Sequence, residues 1–361
     1  MASISPEAPS GPTISADALG VRVDVTLARA FSSLATSRAV AAWRDCRVAD
    51  ASATSRRSLA LAEDLSDDLA RALSDLSTRV TLAALDALRG TRLLLHAAGV
   101  TADDGRVLAL VGPSGRGKTT AATHLGRRFG YVSDESVAVD LDLAVWPYRK
   151  PLSVIVDGKP FKQQIAPSDL GLRPLPDAPL RLAGITLLDR QPDTDEPGVR
   201  TVDLIDAICE LTPQISYLPE LPSPLQYVAR IVDQVGAVTR LVYRDAAELP
   251  EMVTAMFASQ PAAAQEWSVA PRPAQTGPWR CAEVDDAILV EGRACILRDG
   301  VVTALDHRGC LVWRMCLEGA TSEQITAAAI TAFGAPADGA AEKLIAQTLD
   351  DLRTHGFVSP A

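Results

Sequence analysis

The spacing of apolar and polar positions divides the chain into segments of different period. Residues 61–88, LAEDLSDDLARALSDLSTRVTLAALDAL, return apolar side chains every three or four positions, as an amphipathic helix does, and Gly90 punctuates the end. Upstream, residues 21–60 hold one strand-like run, VRVDVTL, and are otherwise ambiguous. RLLLHAAGV and RVLALVG follow as continuous apolar runs with the turn TADDG between them, the pattern of two strands in a buried sheet. TTAATHLGRRF predicts a helix, and YVSDESVAVDLD predicts a strand, an acidic turn and a strand. Residues 146–185, rich in Pro, Lys and Gly, predict a long functional loop with short strands. LAGITLLDR predicts another buried strand, and LPSPLQYVARIVDQVGAVTRLVYRD a helix followed by a strand.

The first large domain is expected over residues 21–258, behind a flexible N-terminus at 1–20. Residues 259–280, rich in Ala, Pro and Gln, predict a linker or an extended arm. A smaller domain is expected over 281–357, starting with three short strands in DDAILVEGRACILRDGVVTALD and continuing with helices. TSEQITAAAITAF opens with Thr321 and Gln324 at capping-box spacing. GAAEKLIAQTLDDLRTHG sets Leu344, Ile345, Thr348, Leu349 and Leu352 on one face and ends at Gly356, a C-cap glycine.

Composition narrows the function classes. A chain of 361 residues suggests two or more domains, and 47% hydrophobic against 22% charged residues supports a substantial core. A formal charge of −10 argues against a general binder of nucleic acid, which needs clustered Lys and Arg. No apolar run approaches the roughly 20 residues of a membrane helix. The N-terminus lacks the basic start and apolar core of a secretory signal. The six cysteines form no C-x-x-C pair and read as reduced thiols, so a cytoplasmic protein with no membrane partner is expected.

The chemistry starts at residues 112–120, GPSGRGKTT. Gly112, Gly117, Lys118 and Thr119 fit G-x-x-x-x-G-K-[ST], with an apolar strand before and a helix after. Glycines let backbone N–H groups approach phosphate oxygens, and the following helix N-terminus adds positive potential. Gly112, Pro113, Ser114, Gly115, Arg116, Gly117, Lys118, Thr119 and Thr120 are therefore candidate phosphate-binding residues, with Lys118 on the β- and γ-phosphates and Thr119 offering its hydroxyl to Mg²⁺. Asp134 and Glu135 end a predicted strand one helix downstream. Two adjacent carboxylates beside a triphosphate can divide labour, one holding Mg²⁺ and the other taking a proton. His96 ends the strand before the loop and is placed to contact phosphate or the acidic pair. Lys150 is a cation placed to reach a triphosphate, and Asp189–Arg190 end a strand in a loose Walker B pattern. His124, in the helix after the loop, reads as structural. No NKxD-type base-reading sequence is present and YVSDE is not a D-x-x-G loop, which argues against a GTPase-like switch.

In order, the LHAAGV segment with His96, LVGPSGRGKTT, YVSDE, RKPLS and ITLLDR resemble the HPr kinase/phosphorylase-like family over about residues 75–250. The resemblance implies an α/β P-loop kinase core related to phosphoenolpyruvate carboxykinases, with ATP and Mg²⁺ as cofactors. It makes Asp134 the catalytic base beside Lys118 and His96, and Thr119 and Glu135 the metal ligands. It also implies Lys150 and Arg190 on the nucleotide and a homo-oligomer, since relatives form rings. Glu135 stands where the family often has Asp, and the segment that contacts HPr has no clear counterpart. Relatives without it include kinases of ribosomally made peptides, lasso peptides among them, in which a side-chain hydroxyl is phosphorylated.

Residues 281–357 resemble a PqqD-like domain, with GVVTALDHRGCLVWRMCLEGATSEQI at its centre, a small winged-helix-like α+β unit. The resemblance implies that a precursor's leader peptide adds as a strand along Val301, Val302, Thr303, Ala304 and Leu305. Leu311, Val312 or Trp313 and Leu349 or Leu352 would line the groove. The expected function is thus an ATP-dependent kinase acting on a Ser or Thr hydroxyl of a leader-bearing precursor peptide. Two alternatives are a nucleotide-regulated peptide-delivery module, which would not require Asp134, and a kinase for a small hydroxylated metabolite.

Overall fold

The structure is a computed structural model that describes residues 11–27, 33–47, 55–61, 69–113, 117–156, 162–274, 277–337 and 339–361. The described chain forms two compact units, one from 1–201, 214–217 and 238–262, the other from 202–213, 218–237 and 263–361. Each mixes helices and strands.

The first unit opens with β1 (Thr13–Ala18) and β2 (Val21–Leu27), an antiparallel hairpin, with β3 (Ser55–Leu61) parallel to β2. Leu19 and Gly20 at its tip both have positive φ, 59° and 80°, the backbone that two-residue hairpin turns need. The expectation of a flexible lead-in over 1–20 is corrected for Thr13–Ala18. Ile14, Ala16 and Ala18 alternate inward, and three short apolar side chains are enough to seat an edge strand. Helices α1 (Ser33–Ala42) and α2 (Leu69–Ala87) pack on this sheet, burying Trp43, Leu76 and Val80. The helix expected from 61 is observed from Leu69; Leu61 lies in a strand, and residues 62–68 are outside the described residues.

Two sheets follow. β4 (Leu93–Leu95) and β5 (Ala97–Thr101) divide the single run RLLLHAAGV at His96. β6 (Arg106–Val111) leads into the glycine-rich loop, α3 (Lys118–Gly126) leaves it, and β7 (Gly130–Ser133) and β8 (Val137–Val139) flank the acidic turn. The loop over 146–185 contains short strands, as expected, and is bounded by β9 (Val145–Trp146), with β10 (Leu152–Val154) and β11 (Gln163–Ile165) paired within it. β12 (Arg181–Arg190) and β13 (Gly198–Thr201) then lead out to α4 (Leu204–Leu211); the chain returns for β14 (Ile215–Ser216), leaves again for α5 (Pro224–Val235), and completes the unit with β15 (Thr239–Tyr243) and α6 (Leu249–Ala258). The larger sheet has the order β13-β15-β12-β6-β5-β7, in which β15, β12 and β6 are mutually parallel. The smaller has the order β14-β4-β8-β9. Leu110, Ala121, Leu125, Tyr131 and Leu241 form the core between the larger sheet and helices α3 and α6.

The second unit holds α4 and α5, although both lie inside the 21–258 span expected to be one domain. Side chains far along the sequence tie them down. Asp286 accepts hydrogen bonds from Leu225 N (2.8 Å) and Gln226 N (3.0 Å) and caps α5, while Arg293 pairs with Asp203 (3.0 Å) and Asp206 (2.7 Å) at the start of α4. The extended arm pairs as β16 (Ser268–Val269) and β17 (Trp279–Cys281), ahead of β18 (Asp286–Val290), β19 (Arg293–Arg298) and β20 (Val301–Leu305). The sheet order is β16-β18-β19-β20, and β17 pairs with β21 (Val358–Pro360). Helices α7 (His307–Leu317), α8 (Ser322–Phe333) and α9 (Ala341–Thr354) supply Trp313, Ile325 and Leu349 to its core. The capping box at Thr321 forms, and Gly356 after α9 has φ 75°. Ile345, Thr348, Leu349 and Leu352 are buried on α9, whereas Leu344 stays 37% exposed, one position off the stripe.

Candidate functional site

His96 and the acidic pair meet because two neighbouring strands change sheets at the same level. β5 pairs with β7 in the larger sheet, at Gly99↔Ser133; β4 pairs with β8 in the smaller one, at Leu95↔Val137. The residues between, His96 after β4 and Asp134–Ser136 after β7, are left at the crossing. His96 N–H donates to Gln214 O (2.7 Å), one rung beyond the Leu95↔Ile215 pair, which holds the backbone at the crossing. Ser133 Oγ accepts from Glu135 N (3.2 Å) and Ser136 N (3.1 Å) and fixes the acidic turn.

Into this crossing points the start of α3. Gly117 has φ 90° with open space where a Cβ would lie, so glycine is required there by backbone conformation rather than by crowding. Lys118 is buried, and its Nζ donates to Gly112 O (2.6 Å) and Pro113 O (3.3 Å), the carbonyls of its own loop. Burial pulls its pKa below the ordinary lysine value, with Glu135 and Asp134 opposing the shift. Thr119 Oγ1 donates to Asp134 Oδ2 (3.1 Å), which joins the loop to the acidic turn. Ser114, Gly115 and Arg116 lie outside the described residues.

Asp134 is 5% exposed, and its other oxygen receives the Tyr131 hydroxyl (3.2 Å) and Lys150 Nζ (3.2 Å). Lys150 also reaches Glu135 Oε2 at 3.2 Å. Expected to lie along a triphosphate, Lys150 sits on the carboxylates instead. The reason is tertiary: Tyr148 N–H donates to Val132 O (3.0 Å), and the Tyr148 hydroxyl bonds Thr81 Oγ1 (2.9 Å), which aims the next turn of chain at the acidic pair. Burial opposes the Lys150 charge, but attraction to Asp134 and Glu135 outweighs it and raises the pKa above the usual value. Glu135 is the more open acid, its side chain 36% exposed, with Thr81 Oγ1 at 3.4 Å. His96 is half-buried. Burial first, then the Lys118 charge, lowers its pKa, so the neutral imidazole is favoured.

Arg190 ends β12 away from this cluster. It donates from Nε to Arg244 O (3.2 Å) and lines a cleft of about 460 Å³ with Gly117 and Thr120. His124, read from sequence as structural, lines the same cleft, as do Tyr243 and Asp245, which sequence reasoning missed. The one legible signal for Tyr243 and Asp245 was their place at the end of a strand. Tyr131 was also missed, although it stands three residues before Asp134. Asp189 accepts from Gln191 Nε2 (2.8 Å), and the acid bonded to Thr119 is Asp134.

In the second unit, Val301–Leu305 form the terminal strand β20, and among the described residues no strand pairs with its outer edge. Val301 is 63% exposed, whereas Leu305 turns into the core. Trp313 (1% exposed) and Leu352 (4%) are core residues, which corrects the expectation that they line a groove: both sit on helix faces that close against the unit's interior. Leu349 does line a cleft, of about 700 Å³, with Trp279, Ile330 and Ile345. Among the described residues, no helix is long and apolar enough to cross a membrane.

No family model and no curated protein matches the chain. Among solved structures, the Hpr(Ser) kinase/phosphatase from Coxiella burnetii is similar over 46% of this chain and 93% of its own, at 12% identity and a TM-score of 0.27. A likeness of that size leaves the chemistry to this chain's own residues.

Proposed function

We propose that the first unit transfers the γ-phosphoryl group of ATP to a hydroxyl, and that the acceptor is a Ser or Thr of a ribosomally made precursor peptide held by the second unit. The observation that carries the first part is the 3.1 Å bond between Thr119 Oγ1 and Asp134 Oδ2, which joins a phosphate-loop sequence to a buried acid at the mouth of the loop.

The donor set fits a divalent cation. A hydroxyl and a carboxylate lie within bonding distance of each other, and Asp134 and Glu135 already share one cation, Lys150 Nζ, at 3.2 Å each. Thr119 and Glu135, with Asp134 beside them, would hold Mg²⁺, which neutralises phosphate charge when bound. Lys118, with a pKa lowered by burial but a charge favoured by both acids, stands for the β- and γ-oxygens. In the transfer, the acceptor oxygen bonds to the γ-phosphorus, the bond to the β-phosphate oxygen breaks, ADP leaves, and Asp134 takes the hydroxyl proton. Asp134 Oδ1 is occupied by Tyr131 and Lys150, so Oδ2 is the oxygen to receive the proton, and the Thr119 contact must open first. Neutral His96 is placed to donate one hydrogen bond at the crossing.

The open edge of β20 supports the peptide part of the reading. An extended leader would add its own N–H and C=O groups to an unpaired row, with exposed Val301 offering a side-chain contact. Intact-mass spectrometry of a precursor peptide encoded beside the gene, with ATP and Mg²⁺, tests both parts. A gain of one phosphate that disappears with Asp134→Asn is the expected result. Binding without a mass gain would remove that peptide as a substrate and favour delivery; no binding at all would favour a small hydroxylated acceptor.

A further inference from the structure

Two thiols of the second unit, Cys209 on α4 and Cys295 on β19, have no part in the proposed phosphoryl transfer. We propose that they form a reversible disulfide site, oxidised by a small-molecule disulfide, and that the bond fastens α4 to the sheet of the second unit. The inference stands apart from the reading of the first unit.

The pairing follows from the periods of the two elements. Side chains of a strand alternate between faces. Ala294 and Ile296 join the core shared with α7, α8 and α9, which puts Arg293, Cys295 and Leu297 on the other face of β19. That is the face on which α4 lies, because Arg293 pairs with Asp203 (3.0 Å) and Asp206 (2.7 Å). Asp203, Asp206 and Cys209 recur at three-residue spacing, along one side of the helix. Cys295 is the next side chain after Arg293 on its face of the strand, and Cys209 is one helical turn beyond Asp206. The ion pairs therefore set the register that brings the thiols together, and Cys295 S–H donates a hydrogen bond to the Cys209 sulfur. Cys295 is fully buried, whereas Cys209 is half-buried and open to a small reagent.

The two sulfurs differ in reactivity. The hydrogen bond from Cys295 draws the Cys209 pKa below the ordinary thiol value, against the effect of burial. The same bond, and then burial, raises that of Cys295. Burial pushes Cys281 and Cys310 up to about 11 and Cys316 up to about 12, which keeps those thiols protonated and poorly nucleophilic. Cys209 is thus the attacking thiolate. Its sulfur bonds to one sulfur of the small disulfide, the S–S bond of the reagent breaks, and a thiolate leaves and takes up the proton that Cys209 lost. Cys295 then loses its proton to solvent and attacks the Cys209 sulfur. The mixed disulfide breaks, and a second small thiolate leaves and is protonated. Two protein thiols are oxidised and one small disulfide is reduced to two thiols.

The test is incubation of the full chain with glutathione disulfide at neutral pH, followed by intact-mass measurement and by digestion without reductant. The expected result is a mass lower by two hydrogens, a cross-linked peptide containing Cys209 and Cys295, return to the starting mass with dithiothreitol, and slower amide exchange over residues 202–213 while the bond is present. Cys295→Ala should stop at the mixed disulfide and gain one glutathione at Cys209. Cys209→Ser should show neither the loss nor the gain, and this substitution at a half-buried site guards against a folding artefact at the buried Cys295. An unchanged wild-type mass, a cross-link between other cysteines, or a wild type that stops at the mixed disulfide would overturn the proposal. So would Cys209→Ser that still loses two hydrogens. A Cys209–Cys295 bond that leaves exchange over 202–213 unchanged would overturn the fastening of α4.

Discussion

At the scale of single residues, the site is governed by how its charges are shared. Asp134 is almost fully buried, yet Tyr131, Lys150 and Thr119 all donate toward it. Lys150 balances two adjacent carboxylates that would otherwise repel each other. Lys150→Met keeps the length of the side chain and removes its charge. The buried Lys150–Asp134 pair should then cost roughly 3–5 kcal/mol on being broken; the share from Glu135, a third exposed, is screened by water. Chemical denaturation should show the loss, and Mg²⁺ should raise the melting temperature of the variant more than that of wild type, because the acids are left without a resident cation. The pH dependence has a definite sign. The folded pKa of Lys150 is raised, so its contribution is complete below the ordinary lysine value of 10.5 and is lost only as pH rises through the higher folded value. Between pH 6 and 9 the Lys150→Met difference should stay constant so far as this group is concerned.

At the scale of elements, register decides whether those residues meet. β5 and β7 carry the crossing between them, and their pairing at Thr101↔Gly130 admits no side chain on the glycine. A Cβ at Gly130 would lie 2.6 Å from Thr101 Cγ2 and 3.0 Å from Pro174 O. Gly130→Ala should therefore destabilise by roughly 1–3 kcal/mol through overpacking. Because β7 runs directly into Asp134, activity should fall as well. Adding Thr101→Ser removes the clashing methyl and should recover part of both losses in thermal melts and phosphoryl-transfer rates; no recovery would place the strain at Pro174 instead. The same scale explains why one strand-like run became two. RLLLHAAGV is apolar on both sides of His96, so its period is continuous, but its partners change from β8 to β7 at that residue.

At the scale of the whole molecule, the units are not consecutive lengths of chain. α5 buries Leu225, Tyr227, Val228, Ile231 and Val232 within the second unit, and Asp286 caps its start. A chain ending at residue 262 retains α4 and α5 without the sheet they pack on. Such a truncation should bind a hydrophobic dye and elute as oligomers in size-exclusion chromatography; a monomeric product that leaves the dye dark would contradict this assignment. Removing the C-terminal segment is accordingly a poor way to separate the proposed phosphoryl transfer from the proposed peptide binding, and point substitutions on β20 are the better tool. By itself, the sequence determined the features whose cause is local: the glycine turn at Gly117 ahead of α3, the strand–turn–strand around Asp134, the capping box at Thr321 and the stop at Gly356. Each depends on the conformational range or hydrogen-bonding reach of a few neighbouring residues. Only the tertiary structure decided that His96 breaks a strand, that Lys150 meets carboxylates, that Trp313 and Leu352 close a core, and that α4 and α5 join the second unit. Those outcomes depend on pairings between residues tens to hundreds of positions apart, and an apolar period records that a face is buried without recording against what.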